Sequence, residues 1–203
     1  MPRTTDETYD VHFHFTGTTP LLMHNKDRLA NPIDPGTLKL AALHGQWKKS
    51  KTVADYEECM PLEFALALYY DEDIGPYVPI RNIVALLAES GGHYKIGKGI
   101  RGGHSFVGDG RVPVQYKGAR DIDGMIAEGH AFTRPVTNNV SGRKTMVLKT
   151  HPRFDEWELD CDLGFDSQEV PREKLDLTLA RVKRVGALGD FRPTFGRFDL
   201  EVS

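Results

Sequence analysis

Two cysteines, Cys59 and Cys161, are all that 203 residues contain. They lie far apart and outside any C-x-x-C spacing, which excludes a disulfide framework and a zinc-knuckle pattern and leaves two ordinary thiols in a reducing compartment. No run of about 18 apolar residues occurs, so no membrane-spanning helix is expected. The opening MPRTTDETYD is polar and lacks the apolar stretch of a signal peptide. The expectation is therefore a cytoplasmic chain. Serine is scarce and never sits in G-x-S-x-G, and no G-x-x-x-x-G-K-[ST] occurs, so neither a hydrolase elbow nor a P-loop is read. The eight histidines show no H-x-x-x-H or H-E-x-x-H spacing. His12 and His14 share one face of the first strand, where a metal or acid–base role is possible; they are read as polar residues on the solvent face of an edge strand. The acidic YYDED is read as a solvated helix-end cluster. No cofactor, no metal and no catalytic residue is expected.

Charge is present in blocks. The net charge is −3 at a pI near 6.2, but residues 54–73 hold seven acids and no Lys or Arg. Residues 101–153 are net +5 and residues 181–197 net +4. Basic segments that converge in space can neutralise phosphates.

The periodicities outline the elements. YDVHFHFT alternates as a strand, and Pro20 ends its pairing. DPGTLKLAALHGQWKKSK reads as a helix, and so does Asp55–Tyr70, with Pro61 expected to kink or divide it. GPYVPIRNIVALLAESGG enters a helix at Pro79, buries Ile83, Leu86 and Leu87, and stops at Gly91-Gly92. HYKIGKGIRGG is expected to be a loop presenting Lys95, Lys98 and Arg101. Its literal G-x-G-x-x-G follows a helix and precedes a short strand, the wrong context for a dinucleotide site. RVPVQY is a short strand and DIDGMIAEG a short helix. Two strand-like arms surround a basic turn between Ala131 and Phe154, and WELDCDLGF is a clear strand. PREKLDLTLARVKRVGALG is a helix with Leu175, Leu179, Val182 and Val185 as its buried stripe, and FGRFDLEV is the last strand. Leaving out residues 26–73, the order is strand, helix, strand arms, strand, helix, strand. That is an α+β, ferredoxin-like (RRM-like) arrangement. It is expected as a single domain over 1–203, with a helical insertion at 26–73 and a protruding hairpin at 131–150.

The closing GALGDFRPTFGRFDLEV combines a helix stop with arginines and aromatics. Gly186, Gly189 and Gly196 follow from the helix-to-strand connection. Arg192 and Arg197 are left over, and Phe191 and Phe195 are candidates either to stack on bases or to join the core.

This closing segment resembles the glycine-rich loop of the RAMP superfamily, the ferredoxin-like RNA-binding proteins of CRISPR effector complexes and crRNA processing. GPYVPIRNIVALLAESGG is similar to the entry into that superfamily's first helix. The chain also resembles a widespread family of phage and prophage proteins through PLLMHN, KKSKTVADYEE, LYYDED, YVPIRNI, TMVLKTHPRFDEWEL and GALGDFRPTFGRF. The RAMP resemblance implies a subunit that polymerises along a single nucleic-acid strand, as a filament or ring; the phage-family resemblance implies a bacterial cell carrying the phage or prophage. It implies contacts from the glycine-rich loop, the loop after the first helix, and the hairpin at Thr133–Lys149. The residues expected to contact phosphates are Lys95, Lys98, Arg101, Arg134, Arg143, Lys144, Lys149, Arg192 and Arg197. Two other functions remain open: a protein–protein adaptor (a phage inhibitor or assembly factor) using the acidic Asp55–Asp73 helices, and a metal-independent endoribonuclease, with His14 the first base to test.

Overall fold

In the first strand, β1 (Thr8–Gly17), Val11, Phe13 and Phe15 are buried while Asp10 and Thr16 are exposed and His12 and His14 half-exposed. This period of two marks a sheet covered on one face. The computed structural model describes residues 8–50, 52–140 and 143–203, with backbone alone for 138–140 and 143–145. After β1 come β2 (Leu21–Leu22), α1 (Lys26–Leu29), α2 (Pro35–Ser50), α3 (Val53–Ala67), β3 (Tyr70–Asp71) and β4 (Gly75–Pro79). Next are α4 (Ile80–Gly91), a 3-10 turn (Gly92–Tyr94), α5 (Gly97–Gly102), β5 (His104–Ser105), β6 (Arg111–Pro113) and α6 (Ile122–Ala127). The chain closes with β7 (Ala131–Val140), β8 (Arg143–Phe154), β9 (Glu158–Asp166), α7 (Arg172–Val185) and β10 (Phe198–Val202). The protein is thus α+β with antiparallel sheets.

The chain divides into two compact units. The first comprises Met1–Leu21, Tyr77–Tyr116 and Asp155–Ser203. Its sheet has the order β10-β1-β9-β5, with every neighbouring pair antiparallel. The path through this sheet and its main helices is β1, α4, β5, β9, α7, β10. Phe13, Phe15, Phe165 and Phe198 meet on the covered face, Phe15 against Phe198 edge-on at 4.9 Å. Ile83, Leu86 and Leu87 form the buried stripe of α4, and Leu175, Leu179 and Val182 that of α7. The two helices pack on each other, and α7 packs on β10.

The second unit comprises Leu22–Pro76 and Lys117–Phe154. Its helices α2 and α3 pack around Leu40, Cys59 and Leu66, flanked by Leu29, Leu43, Trp47 and Leu62. Its three-stranded sheet has the order β2-β8-β7. The β7–β8 hairpin runs in unbroken register from Ala131 opposite Pro152 to Val140 opposite Arg143. Helix α3 lies against both hairpin strands.

Several local readings are corrected. The two arms at 131–154 do not join the sheet of β1; the strand beside β9 is the two-residue β5, and the hairpin forms its own sheet with β2. β1 is not an edge strand, because β10 and β9 pair with it on both sides. HYKIGKGIRGG is not a loop but the 3-10 turn and α5. Its glycines let the backbone pack closely, since a Cβ on Gly99 would collide with the Glu169 carbonyl. Pro61 does not divide α3, which runs through it as one helix. The ring is exposed to solvent, and Tyr56, Cys59, Glu63, Phe64 and Leu66 are buried on either side of it. That tertiary packing outweighs the lost backbone bond. YYDED is not a helix end but β3 and its turn. Val185 lies outside the buried stripe at 45 % exposure, because α7 ends there and Gly186 is already extended.

Candidate nucleic-acid interface

Five of the cations expected to touch phosphate lie in the first unit. Lys95 closes the 3-10 turn in the left-handed region at φ 63° and is exposed. Lys98 and Arg101 are exposed on α5, three residues apart and so on one side of the helix, while Gly97, Gly99 and Ile100 face inward. Arg192 reaches Glu89 in the last turn of α4 at 3.5 Å. It therefore stands at the end of α4 from which the 3-10 turn and α5 leave. The Arg192–Glu89 pair is open to solvent, 47 % and 70 % exposed, and contributes at most about 1 kcal/mol. Arg197 has a structural partner: its Nη2 donates to the Arg184 carbonyl at 2.7 Å, closing the last turn of α7 with a cation. The two arginines that sequence left without partners are thus tied into the fold, Arg192 loosely and Arg197 firmly.

Phe191 and Phe195 flank these arginines and are both half-buried. Phe191 has φ 54°, and its amide donates to the Asp190 carboxylate at 3.0 Å. Gly196 occupies φ 74°, where a Cβ would collide with the Leu188 carbonyl, while the Leu188 amide donates to the Gly196 carbonyl at 2.9 Å. The close approach of these two backbone segments sets the shape of the closing loop.

In the second unit, Arg134 and Lys149 stand directly opposite each other on β7 and β8. Like charges in direct register repel. Lys149 also acts on the buried Glu63, favouring its ionised form. The side chains of Arg143 and Lys144, at the hairpin tip, lie outside the described residues.

Two arrangements escaped the sequence reading. The first is a buried polar network under the hairpin. Glu63 Oε2 accepts the Thr150 amide at 2.8 Å and the Tyr56 hydroxyl at 3.3 Å. Tyr56 also meets Thr150 Oγ1 at 2.9 Å, which meets Thr133 Oγ1 at 2.9 Å. His44 Nε2 lies 3.9 Å from Glu63 Oε1 and has no hydrogen-bond partner among the described residues. Burial pushes the Glu63 carboxyl up, the Tyr56 hydroxyl up to about 12, and the His44 imidazole down. Nothing in the spacing of an acid-rich helix marks Glu63 out from its exposed neighbours.

The second is the open face of the four-stranded sheet. His12 sits opposite Asp162, and His14 opposite both Asp160 and Glu201. Thr16 lies between Glu158 and Asp199. Strands β1, β9 and β10 carry no Lys or Arg. The signal was the alternation of ELDCD, whose acids match HFH once the two strands are known to pair. This acidic face and the basic end of α4–α5 are separate surfaces of one unit.

No protein-family model matches the chain, and no curated protein matches it.

Proposed function

We propose that this protein binds single-stranded nucleic acid through backbone phosphates, independently of sequence and without chemistry of its own. The carrying observation is that Lys95, Lys98, Arg101 and Arg192 gather where α4 gives way to α5, all exposed. The strand order and path of the first unit fit the ferredoxin-like arrangement, in which an antiparallel sheet is backed by two helices. The resemblance of the closing loop to the RAMP glycine-rich loop points the same way. Binding on the open sheet, as in RRM domains, is disfavoured. That face offers carboxylates where stacking aromatics and cations are needed. The strand is held from the loop side, and copies of the protein line up along it.

Fluorescence anisotropy with labelled single-stranded DNA and RNA at about 50 mM salt tests this reading. Binding is expected for mixed sequences alike. Lys98→Glu with Arg101→Glu should weaken it at least tenfold and lower the salt slope by about two. Absence of any shift with the wild-type chain overturns the reading and leaves the adaptor role.

A further inference from the structure

Strand β10 ends the sheet order β10-β1-β9-β5, so among the described residues one of its sides has no strand beside it. The ladder to β1 defines what that side offers. His12 and Ser203 exchange both backbone hydrogen bonds, at 3.0 and 3.2 Å. Antiparallel pairs alternate between bonded and non-bonded, so Glu201 opposite His14 and Asp199 opposite Thr16 also turn their amides and carbonyls towards β1. Phe198, Leu200 and Val202 stand in the non-bonded positions, opposite Gly17, Phe15 and Phe13, and point theirs outward. A strand laid antiparallel along β10 would bond to those three residues. Its residues opposite Asp199 and Glu201 would then occupy non-bonded pairs, where Cα atoms stand about 4.5 Å apart and side chains come closest.

The charge of the face decides what such a strand must carry. Asp199 and Glu201 are exposed and rim the open face, which also holds Glu158, Asp160 and Asp162 against two histidines and no Lys or Arg. On the opposite face of β10, Phe198 and Leu200 are buried and Val202 is half-buried.

We propose that the β10 edge docks an extended basic segment of a partner protein, in which lysine or arginine alternates with apolar residues. The segment adds a fifth strand to the sheet. Its cations lie beside Asp199 and Glu201, and its apolar residues beside Leu200 and Val202. A second copy of this chain is the wrong occupant. Two β10 strands related by a two-fold through Leu200 would set Asp199 of each opposite Glu201 of the other, like charges in the closest pairs. The acids thus keep bare edges from pairing with each other and select a partner by charge. This surface is separate from the α4–α5 cations and does not depend on nucleic-acid binding.

The probe is a labelled peptide of alternating valine and lysine, titrated into the intact chain by anisotropy at about 50 mM salt. Asp199→Asn/Glu201→Gln should weaken binding about fivefold. Glu57→Gln/Glu58→Gln removes the same charge from exposed positions of α3 and should change binding less than about twofold. Val202→Pro removes an outward amide but no bond to β1, and should cost about fivefold. The same peptide N-methylated at its valines keeps its charge but loses the amides that would face β10; it should bind about tenfold more weakly. On binding of the unmodified peptide, the Leu200 and Val202 amides should exchange with solvent more slowly, while that of Glu201, already bonded to β1, changes little. Circular dichroism confirms that each variant folds. Equal binding of the N-methylated peptide, equal losses in the two acid pairs, or no binding of the alternating peptide to the unsubstituted chain would each overturn the proposal.

Discussion

Burial sets the protonation of Glu63 and His44 in opposite senses. The folded state holds the Glu63 proton more tightly than the unfolded chain does. That stabilisation is complete below the ordinary value of 4.5 and is lost as pH rises through the raised folded value. His44 is lowered by its burial first and by Lys48 and Lys149 next. Its contribution is present above 6.5 and is lost as pH falls through the lowered folded value. Urea midpoints measured from about pH 4 to about pH 8 should therefore respond separately to the two residues. Glu63→Gln keeps an acceptor for the Thr150 amide and should remove the loss on the rising side. His44→Gln should remove the loss on the acid side. An unchanged profile in both variants refutes the assignment. At Gly196, alanine meets both a positive φ and the Leu188 carbonyl. Gly196→Ala should cost about 2 kcal/mol or more in thermal or urea unfolding.

At the scale of elements, α3 keeps a proline in its interior because its neighbours hold it against the hairpin. The Pro61 ring is exposed and contributes no buried contact that alanine would remove. Pro61→Ala should therefore restore a backbone hydrogen bond and stabilise the second unit by up to about 3 kcal/mol. The two tryptophans make this readable, as Trp47 packs against Tyr56 in the second unit and Trp157 against Phe198 in the first. In a Trp157→Phe background, fluorescence follows the second unit alone. A lower urea midpoint for Pro61→Ala in that background would show that the proline is tuned to the fold. The His12 and His14 array is also a property of elements, since it exists only where β1 pairs with β9 in this register. A slip of one residue would turn both histidines into the core.

For the molecule as a whole, net charge says little and its distribution much. The first unit carries cations at the end of α4 and carboxylates across the open sheet. Nucleic-acid binding should therefore be insensitive to the acidic face. Asp160→Asn, on that face, should leave anisotropy titrations within about twofold of the unsubstituted chain. Light scattering with and without a long single strand measures whether copies assemble on it.

Local patterning alone determined most elements here. Alternation in YDVHFHFT and WELDCDLGF marks two strands, the stripes of α4 and α7 mark two helices, and Gly186 marks a helix end. These follow from side-chain period and backbone sterics, which act over a few residues. Tertiary structure decided the rest. It made β1 a central strand, gave the hairpin a sheet of its own, closed HYKIGKGIRGG into α5, and put Asp160 and Asp162 across from two histidines about 150 residues away in sequence. Strand pairing depends on backbone hydrogen bonds that any sequence can supply, so its partners are chosen by packing of the whole core. The same holds for charge. Sequence determined how many cations each segment carries, and folding decided that Arg197 caps a helix while Lys98 and Arg101 face solvent.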